Sequence, residues 1–171
     1  STIQTGLAGA ESIFAQLDEM PETDLGTIEK DRVSGQLEIK DLSFSYPGSE
    51  QRALCDVSFA IQPGQMVALV GRSGSGKSTL ASLIPRFYHH SDGQILIDGV
   101  DVEHYTLRNL RRHIALVTQQ VVLFNDTIAN NIAYGDLAGA PRADIEKAAE
   151  AAFAREFIDR LPNGFDTLVG E

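Results

Sequence analysis

One stretch decides the fold: Gly71-Arg72-Ser73-Gly74-Ser75-Gly76-Lys77-Ser78-Thr79. It carries the pattern G-x-x-x-x-G-K-[ST], which indicates a phosphate-binding loop when a strand precedes it and a helix follows it. Here the apolar run 66–70 precedes the stretch and predicts a strand, and the helix-forming run 80–84 follows it. The motif therefore stands in its proper context and predicts an α/β fold around the loop.

The residue types of this loop suit a chain of phosphates. Glycines allow backbone conformations in which several N–H groups point at phosphate oxygens, and a helix that begins near Lys77 adds its positive dipole end. Lys77 supplies a full charge for the β- and γ-phosphates, and Ser78 offers a hydroxyl to Mg²⁺. The alternative, a Gly- and Ser-rich surface turn with an incidental lysine, does not explain the complete motif and its flanks. We therefore predict ATP and Mg²⁺ as ligands.

The composition narrows the possible partners. A chain of 171 residues, 43% hydrophobic and 22% charged, matches a globular protein with a sizeable core. Its formal net charge of −10 argues against a broad nucleic-acid interface, so phosphate binding must be local. The lone Cys55 excludes an intrachain disulfide, and no apolar run reaches the roughly 18 residues of a membrane span. The sequence itself therefore predicts neither a membrane span nor a secretion signal.

The pattern of apolar residues divides the chain into three parts. Residues 7–20 have apolar side chains at helical spacing and predict an amphipathic helix that Pro21 ends. Residues 21–35 are polar and acidic without periodicity and are interpreted as a linker. A compact domain begins near Gln36. Its predicted elements are half-buried strands at 37–40, 57–61 and 94–97, a buried strand at 114–117, and helices at 127–134 and 142–152.

Three other features have structural interpretations. Residues 95–98 resemble an apolar strand that ends in a Mg²⁺-binding aspartate, but Gly99 follows and Asp-Gly favours a hairpin turn, so Asp98 is interpreted as a turn residue. The histidines lack partners at ligand spacing and predict no metal site; they are His89, His90, His104 and His113. A small basic cluster is interpreted as one solvated helix face; it comprises Arg108, Arg111 and Arg112.

Further motifs carry a resemblance to a known family. Phe44-Ser45-Tyr46-Pro47 follows an alternating strand, and Tyr46 lies 25 residues before Gly71. Val117-Thr118-Gln119-Gln120 follows the predicted buried strand, and residues 123–132 come directly afterwards. Thr167-Leu168-Val169-Gly170-Glu171 stands at the end of the sequence. In this order, over residues 36–171, they resemble the A-loop, the Q-loop and the motif before the signature sequence in nucleotide-binding domains of ABC transporters of the exporter type.

The resemblance implies roles for these residues. Tyr46 would stack on adenine, although an isolated Tyr-Pro is ordinarily a strand end. Gln119 would reach Mg²⁺ or the attacking water; it is preferred because it comes one residue after the hydroxyl residue that follows the strand, and Gln120 stays the alternative. The predicted nucleotide-binding residues are Tyr46, Gly71, Arg72, Ser73, Gly74, Ser75, Gly76, Lys77, Ser78, Thr79 and Gln119, of which Ser78 and Gln119 would be the metal ligands.

The resemblance also implies an architecture. It predicts an α/β fold, a P-loop NTPase core with an antiparallel β subdomain, as the N-terminal part of an ABC-type ATPase domain at 36–171. Residues 1–20 would be the cytoplasmic end of the last transmembrane helix and 21–35 a linker, with the transmembrane domain upstream. A second copy of the subunit would complete a head-to-tail ATP sandwich. No residue matches the family's signature sequence, Walker B aspartate, catalytic glutamate or switch histidine, so no catalytic residue is assigned and the isolated polypeptide is expected to be inactive.

The function implied is ATP binding and hydrolysis that powers export at the cytoplasmic face of the bacterial inner membrane. Several stretches, among them residues 124–134, are most similar to lipid A exporters, which implies lipid A, phospholipid or another amphipathic cargo. A drug or peptide exporter, a soluble ABC ATPase acting on nucleic acid or ribosomes, and a nucleotide-binding module without turnover stay open. The acidic balance and the helix with its linker argue against the nucleic-acid alternative, so no nucleic-acid partner is predicted.

Overall fold

The computed structural model of the protein describes residues 10–11, 13–90 and 92–170. The chain falls into two units, Ser1–Leu116 and Val117–Glu171, each with its own group of buried apolar side chains. The first unit holds a four-stranded sheet, and the second is mainly helical. The phosphate-binding motif belongs to the first unit.

Helix α1 covers residues 10–17 apart from position 12, which lies outside the described residues, as do residues 7–9 of the predicted helix. Over its described part the helix is confirmed, and it ends near Asp18, whose N–H donates to the carbonyl of Phe14 at 2.9 Å. Its apolar side chains, including Phe14 and Leu17, are exposed. Within the described part of the chain, nothing covers its apolar face.

The sheet of the first unit is antiparallel and has the strand order β2-β1-β3-β4. Its strands are β1 Leu37–Ser45, β2 Arg52–Ile61, β3 Asp92–Ile97 and β4 Val100–Asp101. Leu37 of the inner strand β1 lies opposite Ile61 of β2 and Ile97 of β3. The three predicted half-buried strands and the antiparallel β subdomain are confirmed. Alternating side chains made these strands recognisable because every second residue of a strand faces the core.

Helix α2, Lys77–Leu83, follows the phosphate-binding motif and begins where the sequence predicts. Its Leu80 and Leu83 are buried in one cluster with Leu54 of β2 and Ile95 of β3. This shared core fixes the helix against the sheet and therefore also fixes the loop at its N-terminus.

A two-residue turn, Asp98-Gly99, joins β3 to β4. Both residues have positive φ, 50° and 76°, which is the combination that a type I′ hairpin turn requires. The interpretation of Asp98 as a turn residue is confirmed. One turn of 3₁₀ helix, Val102–His104, and helix α3, Leu107–Arg112, follow β4.

Two predicted strands, 66–70 and 114–117, are not formed. Neither run pairs with any residue that the structure describes, and Met66 and Val117 are 99% and 92% exposed. These two predictions were wrong because an apolar run becomes a strand only where a neighbouring strand can take up its backbone hydrogen bonds. Among the described residues, neither run has such a neighbour.

Residues 22–36, here called the N-terminal segment, contact the 3₁₀ turn and α3. Ile28 forms a parallel β-bridge with Tyr105, and the N–H of Lys30 donates to Asn109 Oδ1 at 3.0 Å. Arg111 donates two hydrogen bonds to the carboxylate of Glu22, at 2.7 and 2.5 Å. The interpretation of Arg111 as part of a solvated basic face was therefore wrong. The boundaries proposed between helix, linker and domain stay a prediction.

The second unit consists of short elements around a small core. They are β5 Asp126–Thr127, α4 Ile128–Ile132, α5 Arg142–Ala151, α6 Arg155–Ile158 and β6 Leu168–Val169, with 3₁₀ turns at Gly135–Leu137 and Gly164–Asp166. β5 and β6 pair in antiparallel fashion. The two predicted helices are confirmed, and the Thr127 hydroxyl caps α4 by accepting the N–H of Asn130 at 3.1 Å. The core is formed by Ala129, Ala133, Ile145, Ala149, Ile158 and Phe165.

Candidate functional site

The turn from loop to helix is made at Gly76. This residue is the N-cap of α2 and lies in the left-handed region, with φ 86° and ψ 3°. A Cβ atom there would come within 2.6 Å of both the carbonyl oxygen of Ala53 and Cδ2 of Leu54, on β2. Glycine is therefore required at this position for two reasons: its backbone conformation is left-handed, and the loop lies so close to the sheet that a Cβ atom has no room.

The Lys77 ammonium group lies across the loop. It donates to the carbonyl oxygens of Gly71 at 3.0 Å and of Arg72 at 2.8 Å, and to the hydroxyl of Ser75 at 3.2 Å. These three acceptors, two carbonyl oxygens and one hydroxyl, all lie within residues 71–75, so the loop curls around the ammonium group. A positive charge is thereby held at the centre of the loop, where an anion would be attracted.

The first backbone N–H groups of α2 add to this positive end. The hydrogen bond from the N–H of Leu80 to the carbonyl of Gly76, 2.8 Å long, is the first of the helical series. The N–H groups of Lys77, Ser78 and Thr79 precede it, and such leading N–H groups have no acceptor within a helix. The side chain of Ser78 is exposed at this end of the helix, as a hydroxyl that contacts a hydrated cation must be.

Tyr46 lies beside the loop. It directly follows β1, and its hydroxyl is 2.9 Å from Oγ1 of Thr79, the last residue of the phosphate-binding motif. Thr79 is buried in α2, whereas Tyr46 is 37% exposed, so part of its ring is open to a ligand. The structure thus brings together two sequence-predicted motifs that lie 25 residues apart, counted from Tyr46 to Gly71.

Two further aromatic rings contact Tyr46. Phe44 meets it edge to face, with ring centroids 5.0 Å apart and an interplanar angle of 80°. Tyr88, from the turn after α2, meets it at 5.0 Å and 90°. Phe44 belongs to a motif that the sequence suggested, but Tyr88 has no signal of its own in the sequence because only the folded chain places it here.

Gln119 belongs to the second unit, whereas Tyr46 and residues 71–79 belong to the first. Gln119 and Gln120 lie in an exposed bend, and the hydroxyl of Thr118 donates to the carbonyl of Gln120 at 2.5 Å. That bond fixes the local turn of the backbone and leaves both glutamine side chains exposed. The choice of Gln119 over Gln120 as a Mg²⁺ ligand stays a prediction.

Two of the four histidines make structural contacts. His113 Nε2 is 2.8 Å from the carbonyl oxygen of Lys30, and His89 Nδ1 is 3.3 Å from the carboxylate of Glu103. Over residues 10–11, 13–90 and 92–170, no group of three or more His, Cys, Asp or Glu side chains is arranged to hold a metal ion.

Comparison with known proteins identifies the family. The family model described as ABC transporter matches residues 54–169, more than half of the chain, and includes the loop and α2. The chain belongs to the ABC transporter family. Membership confirms the predicted fold class, an ABC-type P-loop ATPase domain with an antiparallel β subdomain, and it means that the domain binds a nucleotide. Which residues bind it stays a prediction.

Relatives of this ABC transporter chain show how much of a longer protein it matches. It is 76% identical over 171 residues to a protein of Aromatoleum aromaticum named ATP-dependent lipid A-core flippase, and 74% identical to one of the same name in Pseudomonas putida. The chain spans 28% of the length of each of these relatives. A solved structure of a bacterial Atm1-family ABC exporter with ATP bound matches with a TM-score of 0.79 and 42% identity, over 99% of this chain and 30% of that one.

Proposed function

We propose that the chain is the ATP-binding part of an exporter and that residues 71–79 hold the phosphates. The observation that carries this proposal is the contact of Tyr46 with Thr79, which sets an aromatic platform next to a loop that already surrounds a lysine ammonium group. A nucleotide needs both features, a π surface for its base and positive charge for its phosphates. A loop that bound free phosphate alone would have no use for the ring.

Each of these groups would then have a defined task. Lys77 would exchange its neutral carbonyl acceptors for the β- and γ-phosphate oxygens, because charged pairs make the stronger hydrogen bonds. The glycines of the loop would let the backbone N–H groups approach the phosphates, and Tyr46 would stack on adenine. These residues bind and orient the nucleotide, which is the main protein contribution to phosphoryl transfer.

Mg²⁺ fits the donor atoms that the chain offers. The exposed hydroxyl of Ser78 and the side-chain oxygen of Gln119 are hard oxygen ligands, the kind that Mg²⁺ prefers beside phosphate oxygens. When bound, the ion would neutralise the charge that develops on the transferred phosphoryl group. Ser78 is the ligand that we assign to the ion within the first unit. Gln119 of the second unit, with Gln120 as the alternative, stays a prediction from the sequence.

We also infer that the longer protein moves a lipid A-core molecule or a similar amphipathic lipid across the bacterial inner membrane. Identities of 76% and 74% to proteins named lipid A-core flippases favour this cargo over a drug or a peptide. The described helices include none that is long and apolar enough to cross a bilayer. A transmembrane domain upstream of the chain and a second copy of the subunit, paired head to tail around ATP, complete the proposal.

The ATP-binding proposal is tested by Lys77→Ala in the longest natural polypeptide that carries the chain. Removing a charged hydrogen-bond donor from a phosphate is expected to weaken ATP binding about 10- to 100-fold. Binding is measured by titration with a fluorescent ATP analogue. Lys40→Ala is the matched control, because Lys40 pairs with Glu38 on the sheet surface at 3.0 Å, away from the loop motif in sequence. Equal ATP affinity of Lys77→Ala and wild type would contradict the proposal.

The transport proposal needs a separate measurement. The same polypeptide, reconstituted in vesicles with a labelled lipid A-core molecule, is expected to move the label between leaflets only when ATP is present. Lys77→Ala should abolish this movement and Lys40→Ala should retain it. ATP binding without any movement of the lipid would leave the ATP-binding proposal standing and would refute the cargo.

A further inference from the structure

Three aromatic rings form a cluster at the candidate base-binding surface. Phe44, Tyr46 and Tyr88 contact one another pairwise, with centroid distances of 5.0, 5.0 and 5.9 Å. Phe44 is buried in the core of the first unit, whereas Tyr46 and Tyr88 are partly exposed. The cluster therefore runs from the hydrophobic core to the surface and ends in the ring that is proposed to hold adenine.

The Tyr46 ring is held at three points. Its hydroxyl contacts Thr79 of α2, and Phe44 and Tyr88 approach it at interplanar angles of 80° and 90°. Perpendicular contacts of this kind are attractive, because the positive edge of one ring meets the negative face of another. Tyr46 follows directly after β1 and Phe44 lies within it, so Phe44 contacts the ring from the same strand. Tyr88 approaches from the turn after α2 and adds a second contact, beside that of Thr79, between the ring and the phosphate-binding part of the fold.

We propose that Tyr88 is a positioning residue for the nucleotide base: it holds the Tyr46 ring in the orientation in which adenine stacks on it. The proposal rests on the assignment of Tyr46 as the adenine platform. A side chain that is already ordered loses less conformational entropy when a ligand binds. Tyr88 thus strengthens binding of the base without touching it, and it does not affect binding of the phosphates.

The neighbouring residue provides a matched control. Phe87 is also partly exposed, but its ring contacts the guanidinium group of Arg111, 5.3 Å from the ring centroid, and not the aromatic cluster. A substitution at position 87 therefore changes the same turn without changing the contact on Tyr46. Because the Tyr88 ring makes the contact with Tyr46, the variant Tyr88→Phe should still hold the Tyr46 ring in place.

The test compares two ligands in the longest natural polypeptide that carries the chain. Affinities for ATP and for inorganic tripolyphosphate, both with Mg²⁺, are measured for wild type, Tyr88→Leu, Tyr88→Phe and Phe87→Leu. Tyr88→Leu keeps apolar bulk but removes the ring, so it is expected to weaken ATP binding about three- to tenfold, the value of one aromatic pair. Tripolyphosphate binding should stay unchanged, and the other two variants should behave as wild type.

The possible results separate this inference from the proposed function. A wild type that binds ATP no more tightly than tripolyphosphate would refute Tyr46 as an adenine platform, and the role of Tyr88 with it. A Tyr88→Leu variant that keeps the full preference of wild type for ATP would overturn the role of Tyr88 alone. Equal weakening of both ligands would also overturn it, because the residue would then act only by supporting the fold.

Discussion

At the scale of single residues, Asp98 shows how an acidic side chain after an apolar strand can serve structure. Its carboxylate accepts hydrogen bonds from the Ser34 N–H at 2.5 Å, the Ser34 hydroxyl at 2.6 Å, and the N–H groups of Gly35 and Gln36 at 3.1 and 3.0 Å. Partial burial alone would raise the pKa of Asp98, but these hydrogen bonds together lower it below its ordinary value. The carboxylate thereby joins the N-terminal segment to the β3–β4 turn.

Asp98→Asn is expected to destabilise the fold by about 1 to 3 kcal/mol at neutral pH, since a neutral amide accepts these hydrogen bonds less well. A lowered folded-state pKa gives stability that is complete above the ordinary carboxyl pKa and is lost as pH falls through the folded value. The difference in unfolding free energy between wild type and variant should therefore disappear on acidification below about pH 4. Unfolding free energies from denaturant titration across pH 7 to about 2 measure it.

Glu50→Gln is the control for this prediction, because Glu50 is an exposed carboxylate in the turn between β1 and β2. It should leave stability within about 0.5 kcal/mol of wild type at every pH. If Asp98→Asn and Glu50→Gln lose stability equally, the hydrogen bonds to Asp98 do not matter to the fold.

At the scale of elements, the N-terminal segment is held to α3 by charged side chains. Arg111 binds Glu22 with two hydrogen bonds and also donates to the carbonyls of Pro85 and Arg86, at 3.0 and 3.1 Å. The hydrogen bond to Arg111 lowers the pKa of Glu22. Through these contacts of Arg111, the N-terminal segment packs as part of the first unit, although its sequence is polar and acidic.

Arg111→Lys is expected to loosen the N-terminal segment, because a lysine ammonium group cannot reproduce the fork of the guanidinium group. Two amides report on this: the N–H of Ile28, bound to the carbonyl of His104 at 2.9 Å, and the N–H of Lys30, bound to Asn109. Their hydrogen exchange should speed up about tenfold, the scale of one lost charged hydrogen bond. The exposed neighbour Arg112 provides the control variant Arg112→Lys. Unchanged exchange in Arg111→Lys would contradict this account.

At the scale of the whole molecule, charge limits the partners. The net charge is −10, and the loop proposed to hold ATP carries two cationic side chains, Arg72 and Lys77, within nine residues, 71–79. Such a charge distribution attracts a compact polyanion at one point but repels an extended one. The alternative of an ABC ATPase that acts on nucleic acid is therefore disfavoured.

We therefore expect the chain to bind ATP and to show no salt-dependent binding to a labelled DNA duplex. Fluorescence anisotropy at about 50 and 200 mM salt measures this, because phosphate contacts lose affinity steeply over that range. ATP titration of the same sample verifies that the protein is folded and competent. DNA affinity that falls sharply with salt would revive the nucleic-acid alternative.

The sequence alone determined the features that depend on neighbouring residues. The phosphate-binding loop, the start of α2 at Lys77, the alternating strands and the Asp98-Gly99 turn follow from local backbone preferences and from periodicity. The family resemblance rested on the order of such local motifs. Arg111 was interpreted as part of a solvated helix face, and a helix does form there, but its pairing with Glu22 was not predicted.

Only the tertiary structure decided which distant groups meet. It brought Tyr46 to Thr79, placed Tyr88 against the Tyr46 ring, and paired Arg111 with Glu22. It also left the apolar runs 66–70 and 114–117 without a strand partner among the described residues. The physical reason is the same in each case: a contact or a β-ladder needs two partners, and a local pattern specifies only one of them.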